Sequence, residues 1–192
     1  MRLLPLLLLL ALCRRAAAPA SPGERLCEAA RGGSVAQVRR LLDDSVDAGA
    51  KDDRGDPALC LAAKAGHAEV AALLLERGAE AGATNAAGMT ALHFAAQKGH
   101  RAAVAALLQG GAPVDALNDH GQTPLIAATY NGNVECVHLL LEAGAALEVD
   151  GGSDQMSALE IAEQNQYSEV AALLRERAAE LQPGKGRRHD EV

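Results

Sequence analysis

The residues of this chain recur every thirty-three positions. A period of this length is typical of stacked supersecondary units that share one core and contact mainly their sequence neighbours. The leucine and alanine columns return one residue late, at Leu159 and Ala162. The repeated columns are leucine at Leu26, Leu59, Leu92 and Leu125, alanine at Ala29, Ala62, Ala95 and Ala128, and glycine at Gly33, Gly66, Gly99 and Gly132.

The composition suits helices that pack closely through small side chains. Hydrophobic residues make up 49% of the 192 residues, but aromatic residues make up only 2%. A chain of this length can bury a stable core without a metal ion or disulfides. The net charge of −7 is spread along the chain, whereas a general nucleic-acid binder would present a basic face. We therefore expect no nucleic-acid partner.

One unit in the middle of the chain shows how the array is built. Turn-forming residues open it at 118–121, Thr123 can cap a helix, and Pro124 suits the first helical position. Gly132 permits a tight turn, and an apolar run with helical spacing then ends near Gly144. Each unit is therefore predicted to be a turn followed by two antiparallel helices.

The motif that repeats in register resembles the signature of ankyrin-repeat proteins, Gly-x-Thr-Pro-Leu-His-x-Ala-Ala followed by Gly-His and Leu-Leu-Leu-x-x-Gly-Ala. Residues 88–100 with Gly111 and Ala112 are the closest copy, and the resemblance covers roughly residues 24 to 178. It implies an all-α solenoid of about five helix-turn-helix units, including end caps, with β-turn fingers. The implied divisions are a domain at 21–182, made of a cap at 22–51 and repeats at 52–84, 85–117, 118–150 and 151–182, between a leader at 1–20 and a flexible tail at 183–192.

The ends of the array depart from the pattern as a finite stack requires. In the last unit, Glu160 takes the position of His93, Arg175 that of Leu141, and Gln166 that of a glycine. These polar residues would face water rather than another repeat. One earlier unit also departs, because Pro57–Cys60 replaces the Thr-Pro-Leu-His motif, so we expect weaker capping of its first helix.

The histidines fit structural roles better than catalysis or metal binding. His67 and His100 are equivalent positions at the start of a second helix, where the resemblance implies local hydrogen bonding by the imidazole. It likewise implies that His93 ties neighbouring turns together, while His120 and His138 stand alone.

The cysteines also fit packing roles. Cys27 and Cys60 are equivalent, so stacking would separate their backbones by about 8–10 Å, beyond the about 7 Å that a disulfide spans. Cys136 falls on a core position of its helix, and we expect all three thiols to be reduced and buried.

Motifs for catalysis are absent or incomplete. No Cys-x-x-Cys pair or Gly-x-Ser-x-Gly elbow occurs, and Gly184–Gly186 lacks the rest of a phosphate-binding loop. Acidic pairs at 43–44 and 52–53 are expected to be solvated caps. We therefore predict no enzymatic activity, no metal and no cofactor; the remaining enzyme hypothesis would need a site at Cys60 and His93.

The family resemblance implies that turn tips and the outward side of the first helices form a concave surface for protein partners. Tyr130, Met89 and Met156 are the best candidate anchors, because aromatic and thioether side chains suit interfaces. The candidate partner-binding residues are Asp53, Arg54, Asp56 and Lys64, then Ala86, Ala87, Met89, Gln97 and Lys98, then Asp119, His120, Gln122, Tyr130 and Asn131, and last Ser153, Asp154 and Met156.

The two ends of the chain carry possible addresses. Residues 1–13 are a basic start and a leucine-rich run too short to span a bilayer, and 18–20 offers small residues for cleavage, as in a secretory signal peptide. The alternatives are an organellar transit peptide or an apolar tail that is not translocated. The last four residues, His189, Asp190, Glu191 and Val192, differ in one residue from the His-Asp-Glu-Leu signal for retention in the endoplasmic reticulum; otherwise they could add as a strand to a carboxylate-binding domain.

Together these features predict a monomeric, non-enzymatic scaffold in the secretory pathway that binds partner proteins and spans no membrane. The alternative is a cytosolic or nuclear adaptor or inhibitory subunit with the same fold. The fold supports many unrelated partners, so the sequence does not identify one.

Overall fold

A computed structural model describes residues 20–147 and 156–181 of this chain. Within these residues the chain forms ten helices in five successive pairs. The predicted leader, Ser153, Asp154 and the tail at 183–192 lie outside the described residues, apart from Ala20. The helices are α1 (Pro22–Arg31), α2 (Val35–Asp43), α3 (Ala58–Ala65), α4 (Ala68–Glu76), α5 (Ala91–Lys98), α6 (Arg101–Gln109), α7 (Pro124–Tyr130), α8 (Val134–Glu142), α9 (Ala158–Gln164) and α10 (Ser168–Leu181).

The helices lie in two layers. We call the layer formed by the first helix of each pair the inner layer, and the layer formed by the second helices the outer layer. The first helix of each pair packs on the first helix of the next pair, and the second helices do the same. In the described part of the chain no strand forms, and only isolated bridges at Lys51–Pro57 and Thr84–Thr90 close the bases of two fingers. The predicted all-α solenoid of stacked helix pairs is confirmed.

The inner helices begin where the sequence predicts a cap. The Thr123 hydroxyl accepts a hydrogen bond from the Ile126 amide at 3.3 Å, with Pro124 as the first helical residue. Thr90 caps α5 in the same way. Pro57 supplies no side-chain cap to α3, which confirms the weaker capping expected there.

Two requirements explain the glycine column. Gly66 has a φ of +81°, and a Cβ atom there would lie 2.8 Å from Nδ1 of His100. Gly99 has a φ of +74°, and its Cβ would lie 2.8 Å from Oδ1 of Asn133. The column therefore combines a left-handed backbone with space for a side chain of the next unit.

The core is one cluster that runs through the described units. The leucine column from Leu26 to Leu125 is nowhere more than 2% exposed. Leu159, its counterpart in the last pair, is only partly buried. The change follows from its position, because no further described unit covers the outer side of α9.

Polar residues finish both ends of the described array. At the start, Ser21 and Glu24 form a capping box, with the Ser21 amide donating to Glu24 Oε2 at 2.6 Å. At the other end, Glu160 closes a capping box with Ser157, and these hydrogen bonds lower the pKa of its carboxyl. Glu160, Gln166 and Arg175, the polar residues of the last unit that were predicted to face water, are exposed.

Candidate functional site

Within the described residues, three turns connect successive helix pairs at 52–56, 85–89 and 118–122, and we call them the fingers. An Asp or Asn at the base shapes each one. In the third finger, Oδ1 of Asn118 accepts hydrogen bonds from the amides of His120 at 2.9 Å and Gln122 at 3.0 Å. Asp52 and Asn85 accept the equivalent pairs of amides in the other two fingers. One side chain thus satisfies two backbone donors that the turn leaves unpaired.

Neighbouring fingers are joined to one another and to the inner helices. The Lys51 ammonium donates to the Thr84 carbonyl at 3.1 Å, and the Asp119 amide donates to the Ala87 carbonyl at 3.2 Å. Arg31 at the end of α1 pairs with Asp52 at 2.6 Å. The expectation of a solvated carboxylate is wrong for Asp52, whose side chain is only 7% exposed, because stacking places it under Arg31.

The fingertips are an exposed part of the predicted binding surface. Two adjacent side chains are exposed on each tip, and their chemistry changes from charged to small and back to charged along the array. The pairs are Asp53 and Arg54, Ala86 and Ala87, and Asp119 and His120.

A second row lies one step below the tips. Asp56, Met89, Gln122 and Met156 occupy equivalent positions and are partly buried. Met89 packs against the core, and the Asn118 amide nitrogen lies 3.2 Å from its sulfur. This row therefore offers the edges of its side chains to a partner while it also supports the fingers.

The inner helices supply the other wall of the surface. Lys64, Gln97 and Tyr130 are equivalent residues on α3, α5 and α7, and none of them is buried. The Lys64 ammonium lies over the Phe94 ring, 5.3 Å from its centroid, which holds the cation near an aromatic face. Tyr130 packs partly against the core. Lys98 and Asn131, the remaining predicted residues, are exposed at the ends of α5 and α7.

Sequence analysis missed two features of this surface. Phe94, which is 8% exposed, was not a candidate, although its position places it below the Lys64 side chain. The finger column of Asp52, Asn85 and Asn118 was also missed as a column, although its spacing of thirty-three residues was visible in the sequence.

His93 is fully buried and connects two units. Its Nδ1 accepts from the Thr90 amide at 3.2 Å, so Nε2 carries the proton and donates to the Gln122 carbonyl at 2.9 Å. Burial lowers the pKa of this imidazole, while hydrogen bonds to the Gln122 and Ala116 carbonyls partly oppose the shift. The prediction that His93 ties neighbouring turns together is confirmed.

His67 and His100 bond across units rather than locally. Nε2 of His67 lies 3.1 Å from the Arg31 carbonyl, and Nε2 of His100 lies 3.2 Å from the Lys64 carbonyl. Asn133 occupies the equivalent position in the next unit, and its side-chain amide donates to the carbonyls of Ala96 and Gln97. The local role expected for the imidazoles is wrong, because each ring reaches the end of the preceding inner helix.

The described cysteines are free and buried. Burial raises the pKa of Cys27 and Cys136 to about 11 and that of Cys60 to about 12. Reactive and metal-binding cysteines act as thiolates, so this environment suits packing. Among residues 20–147 and 156–181, no group of three or more His, Cys, Asp or Glu side chains is placed to hold a metal ion.

Comparison with known families agrees with this architecture. A family model for ankyrin repeats matches in three copies, over residues 26–118 and 110–183. The chain belongs to the ankyrin-repeat family. A search of curated proteins gives no match. Ankyrin repeats are protein-interaction modules and are typically not enzymes, so the partners of this array are proteins. No helix in the described residues of the array is both long and apolar enough to cross a bilayer.

Proposed function

We propose that this ankyrin array is a monomeric, non-enzymatic scaffold that holds a partner protein on its concave surface, formed by the fingertips and the inner helices. The observation that supports this proposal is that the positions with a structural role repeat from unit to unit, whereas the exposed positions vary. Caps, turn glycines and finger-base residues repeat because the fold uses them, whereas the exposed tip residues differ from one unit to the next. Variation at positions without a structural role is typical of a recognition surface.

The centre of the concave surface is small and apolar. Ala86, Ala87 and the exposed part of Met89 lie in the second finger, between the charged tips that carry Arg54 and His120. An apolar centre within a polar rim is the arrangement of protein interfaces that exclude water from a few anchor contacts. The partner would place an apolar side chain over Met89 and polar groups towards the outer tips.

The test is quantitative capture of partners from cells by the full chain and its variants. Met89→Ala and Tyr130→Ala are expected to reduce recovery of the same partner by about tenfold each, the effect of losing an interface anchor. Gln109→Ala, on exposed outer helix α6, is the control and should leave recovery unchanged. Circular dichroism checks that each variant is folded. Equal recovery with all three variants would show that the concave surface is the wrong one.

We further propose that residues 1–20 direct the chain into the secretory pathway and that the tail at 189–192 retains it in the endoplasmic reticulum. Cleavage after Ala20 would leave the Ser21–Glu24 capping box complete at the start of α1. The mature N-terminus isolated from cells tests the first part, with Ser21 or a neighbour expected. Deleting the last four residues tests the second part, and should release the protein to the medium.

A cytosolic or nuclear adaptor or inhibitory subunit is the second candidate. It is favoured by the three buried free thiols and by the lack of a disulfide within the described residues, since cytosolic proteins keep their cysteines reduced. An intact Met1 on the mature protein would support this candidate and reject the secretory one.

A further inference from the structure

A furrow runs between outer helices α8 and α10, on the side of the array away from the fingers. Two adjoining cavities of about 320 and 470 Å³ form it, and both are lined by His138, Glu142 and Leu173. Leu139 and Leu173 are partly buried along its floor. The described structure therefore has a second elongated surface in addition to the concave one.

The furrow is lined by one stripe of residues from each helix. On α8, Glu135, His138, Leu139 and Glu142 follow the spacing of a single helix face. On α10, Glu169, Leu173, Glu176 and Glu180 do the same. In both stripes glutamates flank a central leucine, so an apolar floor lies between acidic rims.

The negative charge of the furrow is only partly neutralised. Five glutamates line it, against Arg101, Arg177 and His138. Arg177 is already paired with Glu180 at 2.8 Å, and His138 lies 3.4 Å from Glu142. Among the described residues, Glu135, Glu169 and Glu176 form no ion pair and are exposed. The furrow therefore has free carboxylates available to a cationic ligand.

The array itself shows that the fold does not need these glutamates. The positions of Glu135 and Glu142 are filled by Ala102 and Gln109 on α6, one unit earlier. Those residues are exposed, and α6 packs against α4 and α8 like the other outer helices. These glutamates are therefore not needed by every outer helix, although α4 also carries glutamates at the two equivalent positions, Glu69 and Glu76.

We propose that this furrow binds a basic amphipathic helix of a partner protein. The helix would place aliphatic side chains over Leu139 and Leu173 and lysines or arginines beside the rim glutamates, as amphipathic helices do in apolar grooves. Unpaired carboxylates repel the phosphates of nucleic acids and anionic membranes, so a cationic protein segment is the complementary occupant. This site is distinct from the concave surface and does not depend on it.

The test measures binding of a labelled 14-residue leucine–lysine amphipathic peptide to the full chain by fluorescence anisotropy. The double variant Glu135→Ala, Glu142→Gln copies the residues of α6 and should weaken binding by about fivefold, since two exposed ion pairs are lost. Adding Glu169→Ala and Glu176→Gln should bring the loss to about tenfold or more. Binding to the unmodified chain should also fall when the NaCl concentration rises from about 0.05 M to about 0.5 M.

The matched control is the double variant Glu69→Ala, Glu76→Gln, which makes the same two substitutions at equivalent positions on α4. It removes the same charge from the chain but lies outside the furrow, so peptide binding should not change. Equal losses in the α8 and α4 variants would overturn the proposal, because they would show a non-specific charge effect. It would also be overturned if a leucine–glutamate peptide bound equally well. The same holds if sedimentation showed a dimer that the α8 variant abolishes, which would assign the furrow to a second copy.

Discussion

Replacing Gly66 by alanine should destabilise the array through two separable effects. Gly66 has a φ of +81°, and the added Cβ would lie 2.8 Å from Nδ1 and 2.9 Å from Cγ of His100. Gly78 offers a matched comparison, because its φ is +91° but a Cβ there would meet no atom within 4 Å. The two substitutions therefore share the backbone cost and differ in the contact with the next unit.

The expected magnitudes follow from these two terms. A left-handed alanine costs about 1–2 kcal/mol relative to a right-handed one, and this should be the whole effect of Gly78→Ala. Gly66→Ala must also displace the His100 ring, which costs about 1–3 kcal/mol for an overpacked contact. It further strains the bond from His100 to the Lys64 carbonyl. We expect a total loss of about 2–5 kcal/mol.

Urea unfolding of the single variants and of a double variant with His100→Ala provides the measurement. In the His100→Ala background the steric term disappears, so Gly66→Ala should then cost no more than Gly78→Ala. A double-mutant cycle therefore gives the coupling between Gly66 and His100 directly. If Gly66→Ala costs the same with and without the imidazole, the glycine is required only for its backbone conformation, and the reasoning about unit-to-unit contact is wrong.

Three further predictions concern other parts of the array. His93→Ile, which copies Ile126 of the next unit, should cost about 1–3 kcal/mol in urea unfolding. The unmodified chain should lose stability as pH falls below about 6.5, because the pKa of His93 is lowered in the folded state and the unfolded state takes up the proton first. In the His93→Ile variant this contribution to the pH dependence should be absent. Asn118→Ala should speed hydrogen exchange of the two finger amides that its side chain binds, whereas Asn118→Asp, which resembles the first finger, should not. Burial raises the pKa of Cys60 to about 12, so a thiol reagent should label it only as fast as the array opens; rapid labelling of the folded chain would contradict its burial.

The parts of the fold that were predictable from the sequence depend on interactions within a few residues. Thr123 and Pro124 predict a helix start because the capping hydroxyl of threonine and the missing N–H group of proline both act within one turn. Gly132 predicts the turn between helices because glycine adopts its φ of +64° without the steric cost that a side chain adds. The period then gives the stacking, since equivalent residues must meet equivalent neighbours.

Interactions between units were harder to predict because the partners are far apart in the sequence. The acceptor of His67 is the carbonyl of Arg31, thirty-six residues earlier, and no local pattern identifies it. The low exposure of Asp52 likewise depends on Arg31 of the preceding unit. The rows of residues on the concave surface were predictable from the period. The place of Phe94 below the Lys64 side chain was not, because these two residues belong to different units.

Gly33, Gly66 and Gly99 each face a side chain of the next unit, namely His67, His100 and Asn133. These contacts bear on how such a chain can change its length. Excision of residues 67–99 would join Gly66 to His100, so that Gly33 would face an imidazole as before and Gly66 would face the amide of Asn133. Loss or gain of whole units therefore preserves the contact between a turn glycine and a side chain of the next unit. An insertion of one residue would misalign one of these contacts, and the chain places its single offset between Gly132 and Gln166, outside helices α8 and α9.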